Sequence, residues 1–137
     1  MKPFESLETP RTNIRRLKLT DKDRLIELLC NKSVTQHMAF PDELLTKEGV
    51  TNLLEMTVNS YDTEKPLLSL AITEKNSNDL IGVSGFSPLE KNELEVFYAL
   101  LPKYWGKGLA TEILASLTDY ILTKTNYSTI VAPITQS

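Results

Sequence analysis

One stretch, Glu93–Tyr120, constrains the fold more than any other part of the chain. Its sequence, ELEVFYALLPKYWGKGLATEILASLTDY, predicts a strand, a short turn with two glycines one residue apart, and then an amphipathic helix. The first backbone N–H groups of a helix lack intrahelical partners, and glycines let a ligand come close to them. The stretch is therefore predicted to cradle an anionic group such as a phosphate or a pyrophosphate.

The glycine pair, Gly106 and Gly108, fits neither of the two common phosphate-binding motifs. Its spacing is neither G-x-x-x-x-G-K-[ST] nor G-x-G-x-x-G, which excludes a Walker-type loop and a Rossmann fingerprint. With Lys107, Leu109 and Ala110, the glycines would present four or five N–H groups at the positive end of a helix dipole, which carries about half a charge. The residues alone leave one alternative open, a tight strand-to-helix turn that binds nothing.

The rest of the chain predicts a single α+β domain over residues 1–137. Hydrophobic periodicity predicts strand, helix, helix, three strands, helix and strand, in this order: Thr12–Leu19, Thr20–Asn31, Thr46–Tyr61, Leu67–Thr73, Leu80–Phe86, Glu93–Leu100, Leu109–Ile121 and Ser128–Ala132. The first eight residues are interpreted as a lead-in, and SVTQHMAFPDE as irregular. Short turns make the middle strands antiparallel neighbours, whereas a helical crossover makes the last two parallel. We expect three layers, α/β/α, around a mixed, mostly antiparallel sheet.

Several single residues carry local expectations. Arg15, Arg16 and Lys18 on the first strand should mostly face solvent. Gly82 and Gly85 within a strand indicate a bulge or a close approach of two backbones. Cys30, the one cysteine, should pack as a small apolar side chain at a helix end.

Composition narrows the classes of protein to consider. A net charge of -3 argues against nucleic-acid binding, which is typical of chains with a clustered basic excess. A single cysteine allows no internal disulfide, so a reducing cytoplasm is expected. No apolar run approaches the roughly 18 residues of a membrane span, and the N-terminus has no signal-peptide pattern. We expect a cytoplasmic protein that uses neither a membrane nor a nucleic acid as partner.

The residues VFYALLPKYWGKGLATEIL closely resemble the acetyl-CoA-binding motif of the GNAT superfamily of N-acetyltransferases, in the form of its Rim-type, ribosomal-protein N-acetyltransferase-like branch. The superfamily pattern Q/R-x-x-G-x-G/A aligns with Lys103–Gly108, with Lys103 replacing the first residue. ETPRTNIRRLKLTDKDRLIELL resembles the branch's opening strand and first helix, and LIGVSGFSPL resembles its iG-x-i-G strand. The resemblance covers most of the chain and implies a GNAT-like sheet with a splayed parallel strand pair.

The resemblance implies direct transfer of an acetyl group from acetyl-CoA, as co-substrate, to a primary amine. The acceptor would be a protein N-terminus or a small amine such as a polyamine or an aminoglycoside, and no metal is expected. The pantetheine arm would pair with main-chain groups of Tyr98–Leu101 in the opening between the two splayed strands. The implied cofactor-binding residues are Tyr98, Ala99, Leu100, Leu101, Lys103, Gly106, Lys107, Gly108, Leu109 and Ala110.

Glu95 is the carboxylate that the resemblance selects as general base, because it matches the Glu of the branch's E-i-G-Y pattern. An amine must lose a proton before it attacks a thioester. Strand periodicity puts Glu93, Glu95 and Phe97 on one face, so a solvated strand carboxylate is the alternative. Phe97 replaces a frequent glycine and could narrow the acceptor or thioester channel. His37 lies where the branch often places acceptor-pocket residues.

The resembling branch continues beyond its last strand with N-x-x-S, a helix and a hairpin that ends in G-F. None of these occurs before Ser137, so the domain is expected to be C-terminally incomplete. The last strand would then be an exposed edge, which favours aggregation or pairing between chains, including a homodimer. Two alternatives to an active enzyme stay open: a catalytically weak acyl-CoA-binding remnant and a structural α+β module.

Overall fold

The computed structural model describes residues 6–36, 42–64, 66–88, 92–125 and 127–131. Over these residues, six strands and four helices follow one another along the chain: β1 (Ser6–Glu8), β2 (Thr12–Arg16), α1 (Lys22–Leu29), α2 (Lys32–Thr35), α3 (Lys47–Ser60), β3 (Ser69–Glu74), β4 (Leu80–Pro88), β5 (Glu93–Leu100), α4 (Leu109–Lys124) and β6 (Thr129–Val131). Three short 3-10 turns connect them, at Leu19–Asp21, Asp42–Leu44 and Pro102–Tyr104.

The strands form one sheet in the order β1-β2-β3-β4-β5-β6. Every neighbouring pair is antiparallel except β5 and β6, which run parallel with Glu93 opposite Thr129 and Glu95 opposite Val131. The prediction of a mixed, mostly antiparallel sheet is therefore confirmed. The predicted splay of the parallel pair would follow Val131 and lies outside the described residues.

Helices cover both faces of the sheet, which confirms the three-layer α/β/α prediction. On one face, α4 buries Ile113, Leu117 and Ile121 against strand residues such as Ile72 and Leu94, all 0% exposed. On the other face, α1, α2 and α3 contribute buried side chains to a second core: Leu25, Leu28, Leu29, Val34, Val50 and Leu54. No helix among the described residues is long and apolar enough to cross a membrane.

The helix ends follow from capping side chains. Thr46 caps α3 by accepting a hydrogen bond from Gly49 N at 3.0 Å, where the sequence predicted the helix to begin. The first helix ends earlier than predicted, at Leu29, because Asn31 is instead the cap of α2 and accepts from Ser33 N at 2.9 Å. The prediction that SVTQHMAFPDE is irregular is therefore wrong for its first three residues, Ser33, Val34 and Thr35, which belong to α2.

The N-terminal strands also differ from the prediction. The prediction of a lead-in is wrong for residues 6–8, which form β1 and pair with β2. The next strand ends at Arg16 and not at Leu19, because the backbone groups that follow it bond to side chains. Leu17 N donates to the Tyr61 hydroxyl at 3.0 Å, and Lys18 N donates to the Asp21 carboxylate at 2.8 Å. Leu19 consequently turns outward and is 56% exposed.

Three side chains lie elsewhere than the sequence predicted. Arg15 does not face solvent: its guanidinium makes two hydrogen bonds to Asp21, at 2.8 and 2.9 Å, and its side chain is 12% exposed. Arg16 is also mostly covered, with a 20% exposed side chain. Cys30 is exposed instead of packed, and its thiol donates to Leu45 O at 3.3 Å. The two arginines can be covered because each forms an ion pair with an aspartate, Arg15 with Asp21 and Arg16 with Asp62.

Strand β4 lies unusually close to β5. The register between β3 and β4 shifts after Ile72, so Gly82 pairs with Ile72 while Leu80 pairs with Thr73. A Cβ added to Gly82 would lie 2.2 Å from Ala99 O on β5. The predicted irregularity and close backbone approach are thus both found at this glycine.

Candidate functional site

The loop between β5 and α4 has the backbone of an anion cradle. Gly106 and Gly108 have positive φ angles of 73° and 76°, a conformation that favours glycine. From Gly106 to Thr111, no backbone N–H group makes a hydrogen bond to a described residue, and the first bond of the helix runs from Glu112 N to Gly108 O at 3.2 Å. The loop and the first turn of α4 thus present a continuous run of free donors, including those of Leu109 and Ala110.

Aromatic side chains hold this loop in place. Trp105 donates its indole N–H to Leu100 O at 2.8 Å, and the Tyr104 hydroxyl donates to the Glu74 carboxylate. Burial raises the pKa of Tyr104, and its hydrogen bond to Glu74 adds to the increase. These contacts tie the turn before the glycines to the ends of β3 and β5.

Each of the two predicted lysines lies over the ring of Tyr104. Lys103 Nζ is 5.2 Å and Lys107 Nζ is 5.8 Å from the centre of the Tyr104 ring. Both ammonium groups therefore contact the aromatic ring through cation–π interactions while they flank the glycine loop. Attraction of a phosphate by Lys103 and Lys107 stays a prediction.

The predicted pantetheine strand has one open edge. Leu101 N donates to Ile81 O at 2.9 Å, so the main-chain groups of Leu101 and, by alternation, of Ala99 face β4. The main-chain groups of Tyr98 and Leu100 face the opposite edge, where no described strand pairs with β5 beyond Glu95. Of the four predicted residues, only Tyr98 and Leu100 offer main-chain groups to a ligand at this edge, and Leu100 O is already bonded by Trp105.

The candidate base lies on the face that the strand periodicity predicted. Glu95 is half-buried on the side of the sheet covered by α1–α3, whereas Leu94 and Val96 are fully buried towards α4. No described residue donates a hydrogen bond to the Glu95 carboxylate, which leaves its oxygens free to take a proton. The catalytic role of Glu95 itself stays a prediction.

Two residues were predicted to line the acceptor pocket. Phe97 shares the face of Glu95, and its ring covers Gly85: a Cβ on Gly85 would lie 2.3 Å from Phe97 Cζ. The ring is therefore turned towards β4 and away from the open edge of β5. His37 lies outside the described residues. Among the residues that are described, no three His, Cys, Asp or Glu side chains come together to hold a metal.

The sequence did not single out Arg11 or Glu112, which meet at the first turn of α4. Arg11 Nε donates to Glu112 Oε1 at 3.0 Å, and Arg11 N and Thr9 Oγ1 donate to Oε2 at 3.1 and 3.2 Å. Burial raises the pKa of Glu112, but the hydrogen bonds from Arg11 and Thr9 outweigh it and hold that pKa below its ordinary value. The two residues are 101 positions apart in sequence, so only the fold brings them together.

Known proteins are similar to this chain in sequence and in fold. The family model described as the acetyltransferase (GNAT) domain matches residues 11–137. An uncharacterized N-acetyltransferase, p20, of Bacillus licheniformis is 30% identical over 136 residues, which cover 96% of this chain and 74% of that protein. Another from Bacillus subtilis, YoaA, is 24% identical over 119 residues, or 85% of this chain and 66% of that protein.

Solved structures show the same architecture. A GNAT acetyltransferase from Bacillus anthracis superposes with a TM-score of 0.78 at 20% identity, over 93% of this chain and 72% of that one. A ribosomal-protein alanine acetyltransferase from Vibrio fischeri superposes with a TM-score of 0.68 at 20% identity, over the same shares of the two chains. At 20% identity, the solved structures establish the fold alone. Membership of the family is established by the family model and by the similarity to p20. The chain belongs to the GNAT family of N-acetyltransferases.

Proposed function

We propose that this chain transfers an acetyl group directly from acetyl-CoA to a primary amine, either a protein N-terminus or a small amine. The observation that carries the proposal is the run of N–H groups from Gly106 to Thr111 that no described residue accepts, which follows the open edge of β5. In a family of acetyltransferases, the anion with matching chemistry is the pyrophosphate of CoA. Transfer would take place in a complex that holds both substrates.

The residues present fit acetyl-CoA. A Cβ on Gly106 would meet no heavy atom within 4 Å, so the surface of the loop is open to a ligand. The N–H groups of residues 106–111 would bind the pyrophosphate, and Lys103 and Lys107 would add positive charge. Main-chain groups of Tyr98 and Leu100 would pair with the pantetheine amides, as in the addition of a strand to a sheet edge. Acetyl-CoA itself supplies the activated thioester.

Glu95 would prepare the acceptor. A primary amine is mostly protonated at neutral pH, and only its neutral form attacks a carbonyl carbon. The Glu95 carboxylate would take that proton, directly or through a water molecule. Its place on β5, three residues before Tyr98, puts the base and the proposed thioester-binding edge on the same strand. The Glu95 carboxylate and the proposed thioester-binding groups are a few residues apart on one strand. A rigid strand keeps them in a fixed relative position, which favours proton transfer at the reacting amine.

The first experiment measures binding and transfer separately. Isothermal titration calorimetry of the full chain with acetyl-CoA should give a micromolar dissociation constant. CoA release with a panel of amines should then identify the acceptor class; the panel includes peptides with a free N-terminus, since the Vibrio fischeri relative is named for a ribosomal protein. Absence of binding refutes the proposal, and binding without transfer to any amine identifies a cofactor-binding remnant.

The second experiment tests the base. Glu95→Gln should lower kcat/KM at pH 7 by about a hundredfold or more, the usual contribution of general base catalysis. The dissociation constant for acetyl-CoA should change less than about twofold, since the proposed cofactor contacts are main-chain groups, whereas the Glu95 side chain stands on a face of the sheet. The difference in kcat/KM between the original chain and Glu95→Gln should become smaller as pH rises, because the amine then loses its proton without a base.

Glu93→Gln is the matched control, because Glu93 is half-buried on the same face of the same strand. It removes the same charge two residues earlier and should leave kcat/KM within about threefold of the original chain. Equal rates for the original chain and Glu95→Gln would remove Glu95 from the mechanism. Equal losses in both variants would attribute the effect to the charge of the strand and not to a base.

A further inference from the structure

Arg11 lies beside the glycine loop although it is far from it in sequence. It sits in the turn between β1 and β2, and its backbone N–H and its Nε both donate to the Glu112 carboxylate in the first turn of α4. A Cβ on Gly108 would lie 3.6 Å from Arg11 Nη2, and nothing else would come as near. The guanidinium therefore borders the residue that caps α4.

The terminal nitrogens of Arg11 point to a role outside the ion pair with Glu112. Its side chain is 50% exposed, and among the described residues Nε is the one guanidinium nitrogen that makes a hydrogen bond. No acceptor within the described ranges bonds Nη1 or Nη2. An arginine can donate five hydrogen bonds in a planar fork, so up to four donors remain beside the free N–H groups of the loop.

The start of α4 gathers more positive charge than the Glu112 carboxylate alone balances. The N-terminus of α4 carries about half a positive charge, and Lys107 adds a further cation beside the loop. Glu112 offsets part of this charge, but its oxygens are directed at Arg11 N, Arg11 Nε and Thr9 Oγ1. The Glu112 bonds to the main chain and to Thr9 already fix the turn, so the exposed end of the guanidinium has no evident structural task.

We propose that Arg11 is a phosphate-binding residue of the cofactor site and that Glu112 is the positioning residue that holds its guanidinium at the start of α4. The inference rests on the proposed function, since it assigns Arg11 to the phosphates of CoA. The glycine loop supplies neutral backbone donors, and Arg11 supplies a fixed, charged fork that strengthens each hydrogen bond to phosphate. The β1–β2 turn thereby becomes part of the cofactor site.

The test compares a ligand with phosphates and one without. Arg11→Gln should raise the dissociation constant for CoA about tenfold or more, as loss of charge-assisted hydrogen bonds does. It should also reduce the dependence of that constant on salt concentration. The rate with S-acetylpantetheine, which carries the same thioester without phosphates, should fall by a much smaller factor than the rate with acetyl-CoA. The dissociation constant of Arg11→Lys for CoA should lie between those of the original chain and Arg11→Gln, because lysine keeps the positive charge but cannot donate as a planar fork.

Lys47→Gln is the control for charge, since Lys47 is exposed on α3, on the other face of the sheet. It should leave CoA affinity and its salt dependence as they are. Melting temperatures verify that each variant is folded.

Three outcomes separate the two proposals. If the original chain does not bind CoA, the proposed function and this inference both fall. If it binds CoA and Arg11→Gln binds equally well with the same salt dependence, the inference alone is overturned. If Arg11→Gln loses the reactions with acetyl-CoA and S-acetylpantetheine in equal proportion, Arg11 only supports the fold, which also overturns the inference.

Discussion

The bonds made by Glu112 predict a pH-dependent contribution to stability. In Glu112→Gln one carboxylate oxygen becomes an NH2 group, which cannot accept the hydrogen bonds that Arg11 and Thr9 now donate. Either the bond from Arg11 Nε or the bonds from Arg11 N and Thr9 Oγ1 must be lost, and a donor then faces a donor. Hydrogen bonds to a charged group contribute about 1.5–3 kcal/mol when buried, and the half-exposed Arg11 reduces this to about 1–2 kcal/mol.

The sign of the pH dependence follows from the lowered pKa of Glu112. Burial raises that pKa, but the hydrogen bonds from Arg11 and Thr9 bring it below the ordinary value of 4.5. The folded chain therefore prefers the carboxylate, and its stabilisation is complete above the pKa of the unfolded chain. It is lost as pH falls from that value through the lower pKa of the folded chain.

Urea unfolding, followed by circular dichroism at pH values from 7 down to 3.5, measures this contribution. The free energy of unfolding of Glu112→Gln should lie about 1–2 kcal/mol below that of the original chain at pH 7. The difference should shrink below about pH 4.5. Glu55→Gln is the matched control: Glu55 is exposed on α3, has no hydrogen-bond partner within the described part of the chain, and should change stability by less than about 0.5 kcal/mol. A difference that is the same at pH 7 and pH 3.5 would refute the assignment of the stabilisation to the ionised Glu112.

Two further predictions concern the framework of the sheet. Tyr61→Phe should lower the free energy of unfolding by about 1–3 kcal/mol in urea titration, because it leaves the buried N–H of Leu17 without its acceptor; an unchanged midpoint would contradict this. Gly82→Ala should cost about 2 kcal/mol or more, since the new Cβ would lie 2.2 Å from Ala99 O. Gly106→Ala, which meets no atom within 4 Å, should cost only about 1–2 kcal/mol of backbone strain, and an equal loss in both variants would contradict the packing argument.

Sequence patterns predicted the parts of this protein that repeat or alternate. The long helices have apolar stripes, Thr46 marks the start of α3, and the alternation along β5 predicted that Glu95 and Phe97 share a face. The glycine spacing predicted a turn between strand and helix, and the structure has this turn, with positive φ at Gly106 and Gly108. These features are local, because each depends on residues within a few positions of one another.

Features that depend on distant or very short segments could not be predicted in this way. Strand β1 has three residues and α2 has four, too few to show a period. Arg15 resembled a solvated cation because nothing in the sequence marks Asp21 as its partner. The contact of Arg11 with Glu112 joins residues 101 positions apart, and no pattern within a single sequence records such a pair.

The register of β5 ties the candidate chemistry to the hydrophobic core. Leu94 and Val96 are 0% exposed against α4, and a shift of the strand by one residue would exchange them with Glu93 and Glu95. Each apolar side chain contributes about 1.5–3 kcal/mol by its burial, and a carboxylate without a partner would take its place in the core at a further cost. The shifted strand is therefore less stable by about 5 kcal/mol or more, from these terms alone. Because the core excludes this register shift, Glu95 stays on the face of the sheet covered by α1–α3, beside the open edge of β5. The packing that stabilises the fold therefore also fixes the position of the candidate base.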